Sequence, residues 1–332
     1  MTSGMVPLSV LDLTPIRQGG SIAATLRESV ELARTAEQLG FHRYWLVEHH
    51  NTASVAGAAT AVLMAHVAAQ TRTIRIGAGG IMLPNHAPLM VAEQFGTLAA
   101  LHPGRIDLGL GRGINSDPET LKALRRQPGD MAEFPQDVEE LLGFLRPAIP
   151  GQPKPKVRAI PGEGTQLPVW ILGSSLSGAD LAARLGLPFA YASHFAPDQL
   201  DVALAAYRGR FKPSPYLDKP QVMLSLTVVA AETDEQARLL FSSAQAATDA
   251  PLPPPVPDYE KRMDPKRLAL IQALFRHSIV GGPQTVAKGL ADFIARYRPD
   301  EVIAVTQIFD PGLRARSFEL LSAAAGEPRP AA

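Results

Sequence analysis

A closed (β/α)₈ TIM barrel with loop insertions is the α/β fold class that the sequence predicts, on three observations. Short apolar segments of strand character alternate with helical patterns eight times along the chain. No glycine-rich dinucleotide fingerprint follows the first strand, which counts against the open doubly wound sheet. The 332 residues accommodate a barrel of about 250 residues plus two long insertions. We read 1–332 as one domain, with long loops near 114–165 and 248–282.

Residues 8–13 (LSVLDL) read as the first strand. Ser21 caps a helix that runs to Gly40, with Ile22, Leu26, Val30, Ala33 and Ala36 as its apolar stripe and Gly40 at the C′ stop. Residues 44–47 (YWLV) are a strand ending in Glu48-His49-His50. Residues 51–71 carry no charge and are mostly alanine; too weakly hydrophobic for a membrane span, they read as a buried helix. Residues 74–83 form the third strand, and Pro88 opens a helix that stops at Leu101-His102-Pro103-Gly104. Residues 105–110 (RIDLGL) are the fourth strand. A helix over 135–145 follows, then strands at 169–172 and 189–192 with helices at 178–185 and 197–211. A strand at 222–229, helices at 233–247 and 284–297, a strand at 301–308 and a helix at 316–325 complete the series. Five prolines between Pro147 and Pro161, and five between Pro251 and Pro257, mark irregular connections.

Composition narrows the chemistry. Hydrophobic residues at 46% and charged residues at 19% describe an ordinary globular chain. Thirty-two basic residues balance 32 acidic ones, which argues against nucleic acid or an anionic membrane as partner. With no cysteine, disulfides, thiolate metal sites, iron–sulfur clusters and cysteine nucleophiles are excluded. The first residues lack a basic region followed by an apolar core, so the expectation is a cytoplasmic protein.

In such a barrel the active site lies at the C-terminal ends of the strands. Those ends carry His49-His50, Pro84-Asn85-His86, Gly111-Arg112-Gly113, Gly173-Ser174-Ser175 and Ser193-His194, so four of the eight histidines collect there. The mouth is therefore expected to receive a polar ligand. The stretch from Gly173 through Ser177 to Gly178 leads a strand into a helix, whose free N–H groups suit an anion; a plain serine cap is the alternative. A nucleophile elbow fails, because Ser177 stands where the second glycine is needed. Arg112 suits a phosphate, or it pairs with a carboxylate such as Asp117. Adjacent His49 and His50 point to opposite faces of a strand, so no metal site is expected.

These residues carry a resemblance. Gly40-Phe41, Trp45–His50 (WLVEHH), 77–86 (GAGGIMLPNH), 91–104 (VAEQFGTLAALHPG), 105–113 (RIDLGLGRG) and 169–175 (VWILGSS) occur together and in order. In them the chain resembles the bacterial luciferase-like flavin monooxygenase family, densely over 6–113 and diffusely beyond about 196. The resemblance implies a barrel whose mouth holds FMN, or the deazaflavin F420 in a sister branch. It assigns flavin chemistry to His49. Phosphate contacts fall on Arg112 and on the loop Gly173, Ser174, Ser175 and Gly178, and His194 joins the cofactor site. A non-proline cis peptide falls on Gly79-Gly80 beside the flavin ring. It also implies a homodimer, with helices beside strands two and three at the interface.

The chain departs from the luciferases where they place a cysteine against the flavin, here Gly111, and where they place a glutamate before the phosphate-loop serine, here Ser174. Light emission is not implied. The leading expectation is an FMN-dependent two-component monooxygenase, supplied with reduced flavin by a separate reductase and using O₂ to oxidise a small organic substrate. Alternatives are an F420-dependent hydride-transfer oxidoreductase and a flavin-binding protein without turnover. The prolines of 147–161 and 251–257 either frame a lid or only cross the scaffold.

Overall fold

The computed structural model describes residues 6–113, 117–148, 150–151, 155–247 and 250–326. Eight parallel strands close on themselves: β1 (Leu8–Asp12), β2 (Arg43–Leu46), β3 (Arg75–Met82), β4 (Ile106–Gly111), β5 (Val169–Gly173), β6 (Phe189–Tyr191), β7 (Val222–Ala230) and, after the short β8 (Ile279–Gly281), β9 (Glu301–Val305). β9 pairs with both β7 and β1, which completes the barrel, while β8 extends only the far end of β7. The predicted (β/α)₈ class is the observed one. No helix among the described residues is long and apolar enough to cross a membrane.

Helices cover the outside. α1 (Ile22–Gln38) begins as read: the Ser21 hydroxyl accepts from the Ala24 amide at 3.2 Å, and Gly40 follows the C-cap at φ +75°. Val30, Ala33 and Ala36 of its stripe are buried, but Ile22 is exposed. α2 (Thr60–Ala69) and α3 (Pro88–Leu101) flank β3. The expected helix over 51–71 is half as long as read. Residues 51–59 instead give their backbone to neighbours: Ile16 N–H donates to Ser54 O at 2.8 Å, Ala56 N–H to Thr14 O at 3.0 Å, and His49 N–H to Gly57 O at 2.8 Å. A Cβ on Gly57 would meet Val47 O at 2.8 Å, so only glycine fits there.

The insertions hold more structure than loops. α4 (Pro118–Ala123), a 3₁₀ turn (Pro128–Glu133) and α5 (Phe134–Leu145) lie between β4 and β5. α6 (Leu176–Leu185), α7 (Leu200–Arg210) and α8 (Asp234–Ala246) follow β5, β6 and β7. α9 (Pro265–Leu274) stands in the expected 248–282 loop, with no residue of its own buried. α10 (Pro283–Tyr297) and α11 (Pro311–Ala324) finish the ring, α11 starting five residues earlier than read.

The barrel interior is packed solid below its mouth. Trp45 and Trp170 meet edge to face at 5.7 Å, with Leu11, Met223, Ile303 and Val305 around them. Beneath them Arg43 bridges Asp107 at 2.7 Å and Glu301 at 3.0 Å, and Arg75 joins Asp107 at 2.6 Å. These buried charges are satisfied by one another, so the floor joins β2, β3, β4 and β9. A ligand has room only above it.

Candidate functional site at the barrel mouth

A cavity of about 1500 Å³ opens at the C-terminal ends of the barrel strands. Its wall includes His49, Gly79, Arg112, Gly173, Ser174, Ser175, Gly178 and His194. Of the residues that the resemblance assigns to flavin chemistry or cofactor binding, Gly80 lies outside this wall. It lies against β4, where a Cβ would meet Gly109 O at 2.8 Å. The Gly79–Gly80 peptide is cis, as the resemblance implied. At this point β3 loses its register against β4, between Ala78 and Ile81, so the wall is locally re-aimed next to the site.

The end of β5 and the start of α6 pack glycine on glycine. A Cβ on Gly178 would stand 3.2 Å from Gly173 Cα, and one on Gly173 would stand 3.1 Å from the Phe189 ring. The first turn of α6 thus sits directly on the strand end. Ser175 occupies the N-cap position, yet its hydroxyl makes no cap bond and lies 3.0 Å from that of Ser177. The first-turn amides of α6 are therefore not engaged by their serine, the reverse of a plain serine cap. Arg112 is exposed to the mouth and has no ion-pair partner among the described residues. Asp117, its candidate partner, instead caps α4 by accepting from the Glu119 and Thr120 amides at 3.0 Å each.

Glu48 organises the opposite wall. Its side chain is 1% exposed. It accepts from His50 Nε2 at 2.8 Å, His86 Nε2 at 2.9 Å, the Met82 amide at 3.1 Å and Asn85 Nδ2 at 3.3 Å. Burial pushes this carboxyl up, but the His50 and His86 bonds outweigh it and hold the group at about 2. The shared bond raises the His50 imidazole. His49 turns away from the cluster into the cavity, where burial lowers its pKa and Glu48 partly offsets that. A neutral imidazole beside a ligand can accept or pass a proton near neutral pH.

Glu48, His50 and His86 also bring three ligand-type atoms within 4.8 Å of one another, a set that could hold a metal ion. Their nitrogen–oxygen separations of 2.8 and 2.9 Å are those of hydrogen bonds. Ligands of a tetrahedral ion at about 2.1 Å stand about 3.4 Å apart. Sequence reasoning compared His49 with His50 and missed that Glu48 links His50 to His86. The signal was the parallel register: Leu46 pairs with Ala78, so the ends of β2 and β3 lie side by side.

His194, after β6, is held by β7. Its Nδ1 lies 2.6 Å from Ser225 Oγ, and the Phe195 ring meets it edge-on at 5.0 Å. Burial pushes it down to about 4, and His49 adds repulsion when that ring is protonated. Ser225 carried no sequence signal, being one polar residue inside an apolar strand. Above the cavity, Leu270, Ile271 and Leu274 of α9 and the adjoining Phe275 supply an apolar rim.

The comparisons with known proteins agree with this geometry. The profile of the luciferase-like monooxygenase family matches residues 6–298. The chain is 47% identical over 328 residues to a luciferase-like monooxygenase of Escherichia coli (strain K12), covering 96% of this chain and 97% of that one. It is 38% identical over 243 residues to N-acetyl-S-alkylcysteine monooxygenase of Bacillus subtilis (strain 168), covering 70% of each. Among solved structures it is similar to apo-MsnO8, with a TM-score of 0.85, 34% identity, and coverage of 98% of this chain and 100% of that one. The chain belongs to the luciferase-like monooxygenase family, and with it to the flavin-dependent oxidoreductases.

Proposed function

We propose that the chain is the oxygenating component of an FMN-dependent two-component monooxygenase, which takes reduced flavin from a separate reductase and uses O₂ to oxidise a small organic substrate. The observation that carries the reading is the anion-receptive end of the cavity. Uncapped first-turn amides of α6, the hydroxyls of Ser174 and Ser175, and Arg112, which has no ion-pair partner among the described residues, all border the same space. That donor set fits a phosphate. The glycine-lined wall at Gly79 and Gly111 leaves backbone rather than side chain against a flat ring. A volume of about 1500 Å³ exceeds the roughly 300–1,000 Å³ of single-ligand sites, leaving room for a second, organic ligand.

When bound, reduced FMN supplies the two electrons with which O₂ is activated. The protein's part is to hold and shield. Arg112, Ser174, Ser175, Gly173 and Gly178 hold the phosphate; Gly79 and Gly80 shape the ring wall. His49, neutral and turned to the cavity, holds or moves a proton at its imidazole. The apolar rim of α9 keeps water from the reacting groups and suits a substrate with an apolar part. The proline-rich stretch 251–257 is tied to the β1 side of the mouth, where Leu252 N–H donates to Ile16 O at 2.7 Å. We further read the chain as a cytoplasmic homodimer, joined through the exposed Val62, Met90 and Leu101 of α2 and α3.

Titration of the apoprotein with FMN and with F420 tests the cofactor. We expect FMN to bind and Arg112→Ala to weaken it about tenfold or more while riboflavin, which lacks the phosphate, binds both proteins alike. Preference for F420 would replace the reading with the hydride-transfer alternative. No substrate-dependent O₂ uptake with reduced FMN would leave a flavin carrier without turnover.

A further inference from the structure

The hydrogens around Ser225 can be counted. Its side chain is buried in β7, at 4% residue exposure, and its Oγ meets three groups. These are Tyr191 O at 3.1 Å, His194 Nδ1 at 2.6 Å and the His194 amide at 3.4 Å. The amide is a donor and the carbonyl an acceptor. A hydroxyl brings one hydrogen and two lone pairs. If that hydrogen went to Nδ1, two oxygens would face each other at 3.1 Å with nothing between them. If it goes to Tyr191 O, the two lone pairs receive the His194 amide and an Nδ1–H, and every contact holds one hydrogen.

We propose that Ser225 is a positioning residue that fixes His194 as its Nδ1–H tautomer, so that Nε2 faces the cavity as a hydrogen-bond acceptor for an O–H or N–H of the bound cofactor. Nε2 has no protein partner among the described residues, and His194 lines the cavity beside the β5 loop. The Tyr191 hydroxyl lies 2.8 Å from Ala196 O and 3.1 Å from Ser174 O, so its one hydrogen is shared between the segment that follows His194 and that loop. The edge-on Phe195 ring keeps the imidazole from turning. Burial keeps the ring neutral near pH 7, so the lone pair persists there. An FMN-type ligand offers such donors in its polyol chain and ring imide. This identification of the ligand rests on the function proposed above; the tautomer does not.

Long-range ¹H–¹⁵N correlation spectra of the apoprotein at pH 7 read the tautomer directly, with His194 assigned by the signals lost in His194→Gln. We expect a pyrrole-type Nδ1 and a pyridine-type Nε2. Ser225→Ala should revert His194 toward the Nε2–H form that free imidazole side chains favour, and Ser225→Thr, which keeps the hydroxyl, should restore the wild-type pattern. An Nε2–H tautomer in the wild type, or an unchanged pattern in a folded Ser225→Ala, overturns the role of Ser225. Should the alanine variant not fold, the wild-type pattern alone decides. On adding FMN, the Nε2 signal should move and that of Nδ1 should not. FMN that binds with Nε2 unmoved overturns the acceptor role while leaving the flavin reading intact. FMN that does not bind overturns the flavin reading, and the tautomer result stands by itself.

Discussion

Glu48→Gln isolates the charge that organises the histidine wall of the site. Glutamine keeps the size of the side chain but removes the negative charge and turns an NH₂ toward groups that are themselves donors. The magnitude follows from the carboxyl. Burial opposes ionisation, yet the His50 and His86 bonds, the charge of His86 and the Met82 amide bring it from 4.5 to about 2. That difference is worth about 3 kcal/mol at neutral pH. Because the folded value lies below the unfolded one, this stability is present above pH 4.5 and is lost as pH falls toward 2. His50 runs the other way: the same bond raises it, so its share is complete below pH 6.5 and fades as pH rises through the folded value. The two are one interaction seen from both partners, and only one is counted.

The expected result is a wild-type to Glu48→Gln gap in Tm of about 4 °C near pH 6, given about 2 cal/mol/K of unfolding entropy per residue. The gap should shrink to roughly half by pH 3, and shrink again above pH 7 as His50 loses its proton. Scanning calorimetry of both proteins across pH 3–8 measures it. A gap that stays constant across that range would refute the reasoning, since lost packing carries no pH dependence.

Four further outcomes are expected. Gly109→Ala should cost at least the roughly 3 kcal/mol at the upper end of overpacking, because its Cβ would stand 2.2 Å from Ala78 O and 2.6 Å from Leu172. Gly143→Ala, exposed in α5 with nothing within 4 Å, should gain up to about 1 kcal/mol; thermal unfolding of both reports the contrast. His49→Ala should slow substrate oxidation by about 10²-fold with FMN affinity unchanged, measured by O₂ uptake and flavin titration, and an unchanged rate would remove His49 from proton transfer. Gly111→Cys should be non-additive with Met82→Ala in Tm, because the new Cβ would lie 3.0 Å from Met82 Cε and 3.1 Å from Sδ. Strict additivity would mean that the two positions do not share space.

What was legible in the sequence follows from how local each signal is. Strand ends could be read as a mouth because a parallel barrel brings them together whatever its loops do. Helix starts were misread where polar punctuation outweighed periodicity. α4, α9 and α11 each open on Asp-Pro, and in each the aspartate accepts from amides of the first turn: Asp117 for α4, Asp264 for α9, Asp310 for α11. That start signal was present in the sequence. The first two helices went unread and the third was begun late, because α4 is only six residues long and α9 buries none of its own. The alanine-rich stretch misled for the opposite reason. Its composition favours helix, but 51–59 is committed to backbone bonds with the β1 side of the mouth, which no local pattern announces.

The site residues divide on the same line. Arg112, His49 and the serine loop sit on strand ends and are visible there. Glu48 and Ser225 act across strands, and their partners are set by register. The missing cysteine shows how far a composition count reaches. Gly111 reads as a lost thiol and, by itself, as empty space against the cofactor. The structure puts the Met82 thioether at that place, from the neighbouring strand. A sulfur therefore still borders the glycine wall, as a methylated and far less acidic group that cannot form a thiolate. Met82 gives the cavity wall a polarisable sulfur that cannot ionise. The substitution at Gly111 and the side chain at Met82 are then one packing solution, which is the coupling that the double variant measures.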